Sequence, residues 1–473
     1  MADTQKPTYR PMIDRSNPDE LQRKAAQELF ADINQKYEDW YKATYWANDP
    51  KAPLVKPSLE PTPEGLEKEI WVKASLLADG LRFDQSALEG VCDVYREQSR
   101  WLFDWNIGEH RYYLPEELLL PMDTIAQVRE NTDSRWLCTV EDGQMIIKRD
   151  GKFVIEARHI PRPKYYSLEA SPGVIMRRIA PKRGQDCLVM NYATFCMYWA
   201  TNDGCAFCNI VPNISWTKDD LQISKRTFDQ VKKTTKAAFD EGCLRHILLT
   251  GGYLNRYKKK SGEVVDREDE MVLNVVRAMQ EALERDDIPV NVIRTAPEDK
   301  DLKSIEEHKK KGVFSVAYNL EIWDPILFDR YCPGKSKVQG RDHWLRALEV
   351  AAEVYGPGRV STHFVTGFME PEESLLEGVE WMSERGIGSI PLIWSPVEGT
   401  KYNRFRAPYA EWFVETGLKI ADIRLKHGCG IFDSAALPND CYLCAMPSVI
   451  AEAMRLRKVQ KEFESKEKER AAA

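Results

Sequence analysis

At 473 residues the chain is longer than one ordinary domain, and its 43% hydrophobic and 30% charged residues are the balance of a globular protein rather than a disordered or membrane-embedded one. A formal charge of −7 with both signs interspersed argues against a nucleic-acid-binding face, which needs clustered Lys and Arg. The start of the chain has no apolar stretch behind a basic flank and no long apolar span follows, so the expected setting is cytoplasmic, with no membrane, and the expected partner is a small-molecule substrate.

In chain order, a polar, proline-containing opening gives way to helix-like apolar spacing over Leu21 to Trp46 and Glu64 to Trp105, separated by a Pro-rich linker from Asn48 to Pro63. From Arg135 to Ile160 the pattern changes to short alternating runs, RWLCTV, QMIIKR and KFVIEARHI, punctuated by EDG and RDG. That pattern predicts a three-stranded meander. Residues 1–180 are therefore expected to form an accessory helical and β-meander region, and they carry no readable chemistry.

After Pro181 apolar runs (DCLVMNYATF, RHILLT, PVNVIR, VFSVAYNL, VSTHFV, SIPLIW) alternate with amphipathic stretches such as Ser224 to Glu241, Arg267 to Glu284 and Arg341 to Val354. Alternation of this kind predicts an α/β fold, a partial or complete (β/α) TIM-type barrel over residues 181–426, with reactive groups at the carboxyl ends of its strands. Residues 427–473 read as a Cys-rich segment followed by a solvated helical tail.

Eleven cysteines in a long chain without a secretory signal read as free thiols and metal ligands rather than disulfides. Cys92, Cys138, Cys187, Cys243 and Cys332 are scattered and read as small buried hydrophobes. Cys196, Cys205 and Cys208 follow the first barrel strand in C-x8-C-x2-C spacing. Three thiolates in one loop can hold three irons of a [4Fe-4S] cluster and leave the fourth iron open. By spacing alone, a zinc site completed by a distant Cys or His is an equal alternative.

Beyond the cysteines, Thr250-Gly251-Gly252 closes the second strand, Asn319-Leu320-Glu321 lies on the fourth, and THFVTGFMEPEES and IPLIWSPVEGT come later. In this order the motifs resemble the radical SAM (S-adenosylmethionine) superfamily, most closely its biotin synthase branch, which includes the [FeFe]-hydrogenase maturase. The resemblance covers about residues 180–405. The superfamily's usual first gap has three residues; here five more separate Cys196 from Cys205, and Tyr253 stands where the family has a carboxylate.

The resemblance implies a [4Fe-4S] cluster on Cys196, Cys205 and Cys208, with Phe207 as the aromatic residue before the last ligand. It implies SAM held by Thr250, Gly251 and Gly252 at its amino group, Asn319 and Glu321 at its ribose, Arg341 at its carboxylate, and Val365 and Gly367 beside adenine. It also implies a flavodoxin- or ferredoxin-type electron donor and reductive cleavage of SAM to a 5′-deoxyadenosyl radical that takes hydrogen from the substrate, with pigment or cofactor biosynthesis among the settings. By chemistry alone, the glycine pair also reads as a turn, the Asn/Glu pair as strand-end polarity, and Arg341 as a solvated helix start.

A second trio, Cys429, Cys441 and Cys444 in C-x11-C-x2-C spacing with His427 nearby, reads as an auxiliary cluster, a zinc clip or unrelated buried thiols. His363, on the VSTHFV run, reads as a core histidine or an acid/base facing the barrel. An iron-sulfur scaffold or electron carrier that never cleaves SAM, and a zinc-binding structural protein, are the functional alternatives.

Overall fold

The computed structural model describes residues 59–89, 115–129, 131, 133–161, 163–184, 187–210, 226–244, 246–356, 358–396, 400–403, 405–429 and 446–472. The helix expected over Leu21 to Trp46, Cys92, most of the PVEGT segment, Cys441 and Cys444 lie outside them.

Helix α1 (Pro63–Asp79) begins where the Thr62 hydroxyl accepts a hydrogen bond from Gly65 N at 3.1 Å, with Pro63 presetting the first turn. It ends at Gly80, whose φ of 75° suits glycine, so the helical stretch expected from Glu64 to Trp105 is interrupted after Asp79. The meander is present as β1 (Trp136–Glu141), β2 (Gln144–Arg149) and β3 (Lys152–Glu156), paired antiparallel. Both connecting turns have positive φ at their two central residues: Asp142 and Gly143 at 51° and 78°, Asp150 and Gly151 at 51° and 76°. These are the hairpin turns whose twist matches paired strands.

The barrel follows as β4 (Cys187–Asn191), α2 (Phe228–Asp240), β5 (His246–Thr250), α3 (Arg267–Leu283), β6 (Val290–Arg294), α4 (Lys303–Lys310), β7 (Ser315–Tyr318), α5 (Pro325–Tyr331), α6 (Pro333–Val338), α7 (Arg341–Tyr355), β8 (Val360–Thr366), α8 (Glu372–Glu384) and β9 (Gly388–Ile393). Helices α9 (Ala410–Lys426) and α10 (Ile450–Ala472) complete the chain. Strands β4 to β9 are parallel and adjacent in sequence order, with a two-residue antiparallel strand, Lys182–Arg183, on the β4 edge. Among the described residues β9 does not return to β4, so the sheet is a curled half-barrel rather than a closed one. Every residue of β7 and β8 is buried, as strands covered on both faces require.

Helix α1 is not separate from this core. Leu66, Ile70, Ala74 and Leu77 share one hydrophobic cluster with Ile420, Ala421, Ile450 and Ala453 of α9 and α10. Lys73 and Glu452 form a buried ion pair at 2.8 Å between α1 and α10. The buried Arg129 guanidinium donates to Leu77 O at 2.8 Å and to Ile393 O at 3.3 Å, tying the end of α1 to the end of β9. Residues 461–470 of α10 are exposed. No described helix is long and apolar enough to cross a membrane.

Candidate functional site

The chain leaves β4 at Asn191 and enters the loop that carries the three cysteines, at the carboxyl end of the sheet. Cys196, 8% exposed, precedes a single helical turn, Met197–Ala200, whose first N–H donates to Tyr253 O at 2.8 Å. The Tyr198 and Tyr253 rings stack at 4.3 Å, so the loop lies on the segment that follows β5. Cys208 N donates to Cys205 O at 3.1 Å, and Ile210 N points at Cys208 Sγ at 3.5 Å. Burial pushes the Cys196 thiol up to about 11 and the Cys208 thiol up to about 12. Both are therefore protonated thiols at neutral pH.

All three thiols are free. Among the described residues, the group of His, Cys and carboxylate ligand atoms within 4.8 Å of one another is Glu380, Glu384 and His427, so the three cysteine sulfurs are spread more widely than that. Three thiols in one loop are a donor set that suits three irons of a cluster as well as a zinc.

Gly251 and Gly252 form the seat of this loop. A Cβ on Gly251 would stand 2.6 Å from the Tyr192 ring, and one on Gly252 would stand 2.5 Å from Phe195 O. Thr250 O accepts from Tyr192 N at 2.9 Å. Phe207 meets Phe368 edge-on at 5.6 Å and so joins a set of rings, Tyr331, Phe368, Trp394, Tyr402 and Phe405, on the side of the loop toward β9.

The strand expected to carry Asn319 and Glu321 stops at Tyr318. Leu320 N turns to Thr362 Oγ1 at 2.9 Å, and Glu321 takes a left-handed φ of 74° before bridging to Phe364 of β8. The two polar residues are nonetheless brought together, through a residue the sequence reading did not single out. The buried Lys335 ammonium donates to Asn319 O at 2.5 Å and to Glu321 Oε1 at 2.9 Å. Asn319 also pairs with His363, through Nδ2 and Nδ1 at 3.1 Å. His363 is fully buried, burial and Lys335 push it down to about 3, and its Nε2 has no partner among the described residues. It is a neutral core histidine.

Val365 N donates to Glu321 O at 2.8 Å, placing Val365 beside the same segment. Gly367 has φ 81° and packs under Phe413. Arg341 Nε and Nη2 donate to Trp323 O at 3.0 and 2.6 Å, and its guanidinium lies over the Trp323 ring.

Cys429 is at the other end of the barrel. It is fully buried, and its thiol donates to Ile387 O at 3.4 Å, just before β9 begins. His427 lies at the same end, bonded through Nε2 to Glu380 at 2.5 Å, with Lys426 on the same carboxylate oxygen.

The site is thus a three-cysteine loop after the first strand of a curled half-barrel of parallel strands. No family model matches the chain. In sequence it is 30% identical over 250 residues to the bacteriochlorophyllide c C-7(1)-hydroxylase of Chlorobaculum limnaeum, covering 51% of this chain and 61% of that protein, and so less than two thirds of the relative. Among solved structures it is similar to methylornithine synthase PylB, 16% identical with a TM-score of 0.38 over 60% of this chain and 86% of that one. It is also similar to HydG, a maturase of the [FeFe]-hydrogenase, 14% identical with a TM-score of 0.36 over 58% of each chain.

Proposed function

We propose that the chain is a radical SAM enzyme in which Cys196, Cys205 and Cys208 hold a [4Fe-4S] cluster. The observation that carries this reading is the trio of free thiols in one loop, seated on a glycine pair at the carboxyl end of the half-barrel. When bound, the cluster and SAM supply one-electron cleavage of SAM and removal of a hydrogen atom from the substrate.

The chain's own residues bind, orient and exclude water. The Gly251-Gly252 backbone, Asn319, Glu321 and Val365 are the side of the site offered to SAM, with Lys335 fixing Asn319 and Glu321 in place. Arg341 serves that site by holding the Trp323 turn. The rings from Phe207 to Phe405 give the loop an apolar neighbour suited to a flat, mostly apolar small molecule, and a cavity of about 760 Å³ lined by Arg135, Arg149, Phe405 and Tyr409 lies beyond them. With the hydroxylase as a relative, pigment or cofactor biosynthesis is the proposed setting, in the cytoplasm, with a flavodoxin- or ferredoxin-type protein as donor. An auxiliary cluster or a zinc on Cys429, Cys441 and Cys444 stays part of the proposal, with Cys441 and Cys444 outside the described residues.

The test is anaerobic reconstitution with iron and sulfide followed by a dithionite-dependent assay for 5′-deoxyadenosine. Product from wild type and none from Cys196→Ala is the expected result. A four-iron cluster that neither forms 5′-deoxyadenosine nor changes its spectrum on adding SAM makes the protein a scaffold or electron carrier. Zinc in place of iron and sulfide makes it a structural zinc protein.

A further inference from the structure

The cavity of about 760 Å³ opens where the meander meets the chain leaving β9. The end of α1, the Arg135 and Arg149 edge of the meander, Pro396 and the segment before α9 form its wall. Because β9 ends at Ile393, this is the carboxyl end of the sheet, the end that carries the cysteine loop. From Phe405 on the wall, ring contacts of 5.1, 5.2 and 5.6 Å run through Tyr402 and Phe368 to Phe207, beside Cys208.

Two guanidiniums line this space without an acceptor. Arg149 lies against the Trp71 and Trp136 rings, 5.3 Å from each centroid, with the two indoles tilted at 60° to one another. Its Nε is buried with no hydrogen-bond partner, and the side chain forms no ion pair among the described residues. Arg406 lies over the Tyr409 ring at 4.9 Å and likewise has no acceptor among the described residues. Nearby carboxylates are engaged otherwise: Asp150 accepts from Arg135 through both oxygens, and Glu411 accepts from Trp71 Nε1 at 3.1 Å. Asp79 and Asp133 line the wall without pairing to either guanidinium. Phe405 and Tyr409 are 50% and 66% exposed, so large ring faces border the same opening.

A guanidinium laid on aromatic faces keeps its charge and its N–H fork, and the stacking fixes its orientation before a ligand arrives. Carboxylate and phosphate oxygens match that fork in charge and spacing. We infer that the cavity is an oxyanion subsite, in which Arg149 and Arg406 hold a carboxylate or phosphate group of the substrate while its apolar body lies along Phe405 toward the cysteine loop. That the occupant is the substrate rests on the reading of the chain as a radical SAM enzyme. The meander, which carries no readable chemistry in its sequence, thereby supplies the anchor for the acidic end of that molecule.

The experiment is isothermal titration calorimetry of the reconstituted protein with naphthalene-1-acetate, with 1-naphthyl phosphate and with the uncharged methyl ester of the former. At least one acid should bind about ten-fold more tightly than the ester, the margin that charge-assisted hydrogen bonds supply. The tighter of the two acids distinguishes a carboxylate from a phosphate as the natural group. The preference should vanish in Arg149→Gln/Arg406→Gln, be partly kept in Arg149→Lys, and be unchanged in Lys310→Gln, at the end of α4 far from the cavity. Arg406→Gln alone should weaken it and carries the test should loss of Arg149 loosen the two tryptophans. Equal affinity for acids and ester in wild type, or a preference that survives in the double variant, overturns the inference alone. A wild type that prefers an acid but assembles no cluster and forms no 5′-deoxyadenosine overturns the functional reading, and with it the assignment of the occupant as substrate.

Discussion

A Cβ on Gly252 would stand 2.6 Å from the Cβ of Cys196. Real Cβ atoms do not approach so closely, and the obstruction on both sides is fixed structure: the cysteine's own backbone and the Phe195 carbonyl. The first cysteine of the trio is thus held down by the absence of a side chain one strand away. Gly252→Ala should lift the cysteine loop while leaving the half-barrel folded. Iron bound after reconstitution should fall by at least half with little change in the far-ultraviolet circular dichroism. Full iron content in the variant would show that the loop does not depend on this seat.

The ion pair of Lys73 and Glu452 is 0% and 2% exposed, so each charge relies on the other. Lys73→Met leaves the Glu452 carboxylate buried without its partner and should cost about 3–5 kcal/mol in urea unfolding. The double variant Lys73→Met/Glu452→Leu should recover most of that loss, since an apolar pair needs no compensation. A double variant as unstable as the single one would mean that packing, not charge, is what α1 and α10 share.

Arg294, at the carboxyl end of β6, sits among Asp266, Glu268 and Asp269, and Glu268 in turn accepts from the Tyr192 hydroxyl at 2.8 Å. Burial pushes the Asp269 carboxyl up, but the Arg294 charge and the His308 bond outweigh it and hold the group below the ordinary range. A depressed carboxyl contributes stability that is present above the unfolded value, about 4, and is lost as pH falls through the folded one. Asp269→Asn should therefore be less stable than wild type at pH 7, with the gap narrowing in thermal melts below about pH 4. A gap that is constant with pH would assign the effect to shape rather than charge.

Asp123 has the opposite sign. Burial pushes its carboxyl up to about 6 against the pull of Arg455 and Arg158, and neither oxygen finds a hydrogen bond among the described residues. A raised carboxyl favours the fold only while protonated, so the penalty is absent below about pH 4 and complete above about pH 6. Asp123→Asn removes the charge and tolerates the local φ of 67°. It should stabilise the protein by about 1 kcal/mol at pH 8, a figure discounted for partial solvent screening, and by nothing near pH 4. Equal melting temperatures at pH 8 would refute it.

The alternating apolar runs were enough to read the six parallel strands and their intervening helices, because a strand buried on both faces must be apolar throughout and its covering helix on one side only. The meander was legible for a similarly local reason, since EDG and RDG supply the two positive φ values each hairpin needs. Helix α1 was read too long because Gly80 acts through its backbone conformation, which apolar spacing does not register. The strand through Asn319 and Glu321 was overextended likewise, where Glu321 takes a left-handed φ within an otherwise strand-like pattern.

What the sequence determined by itself was the order of the barrel and the clustering of Cys196, Cys205 and Cys208, both set by residues close in the chain. What only the tertiary structure decided were the contacts made across strand ends. Cys332, 124 positions after Cys208, read as a scattered thiol, yet its segment packs on the cysteine loop, while Cys429 is at the opposite end of the barrel, bonded to Ile387. A parallel sheet brings the loops after successive strands together at one edge whatever their separation in sequence. Spacing can therefore show which cysteines share a loop, but not which loops share an end of the barrel.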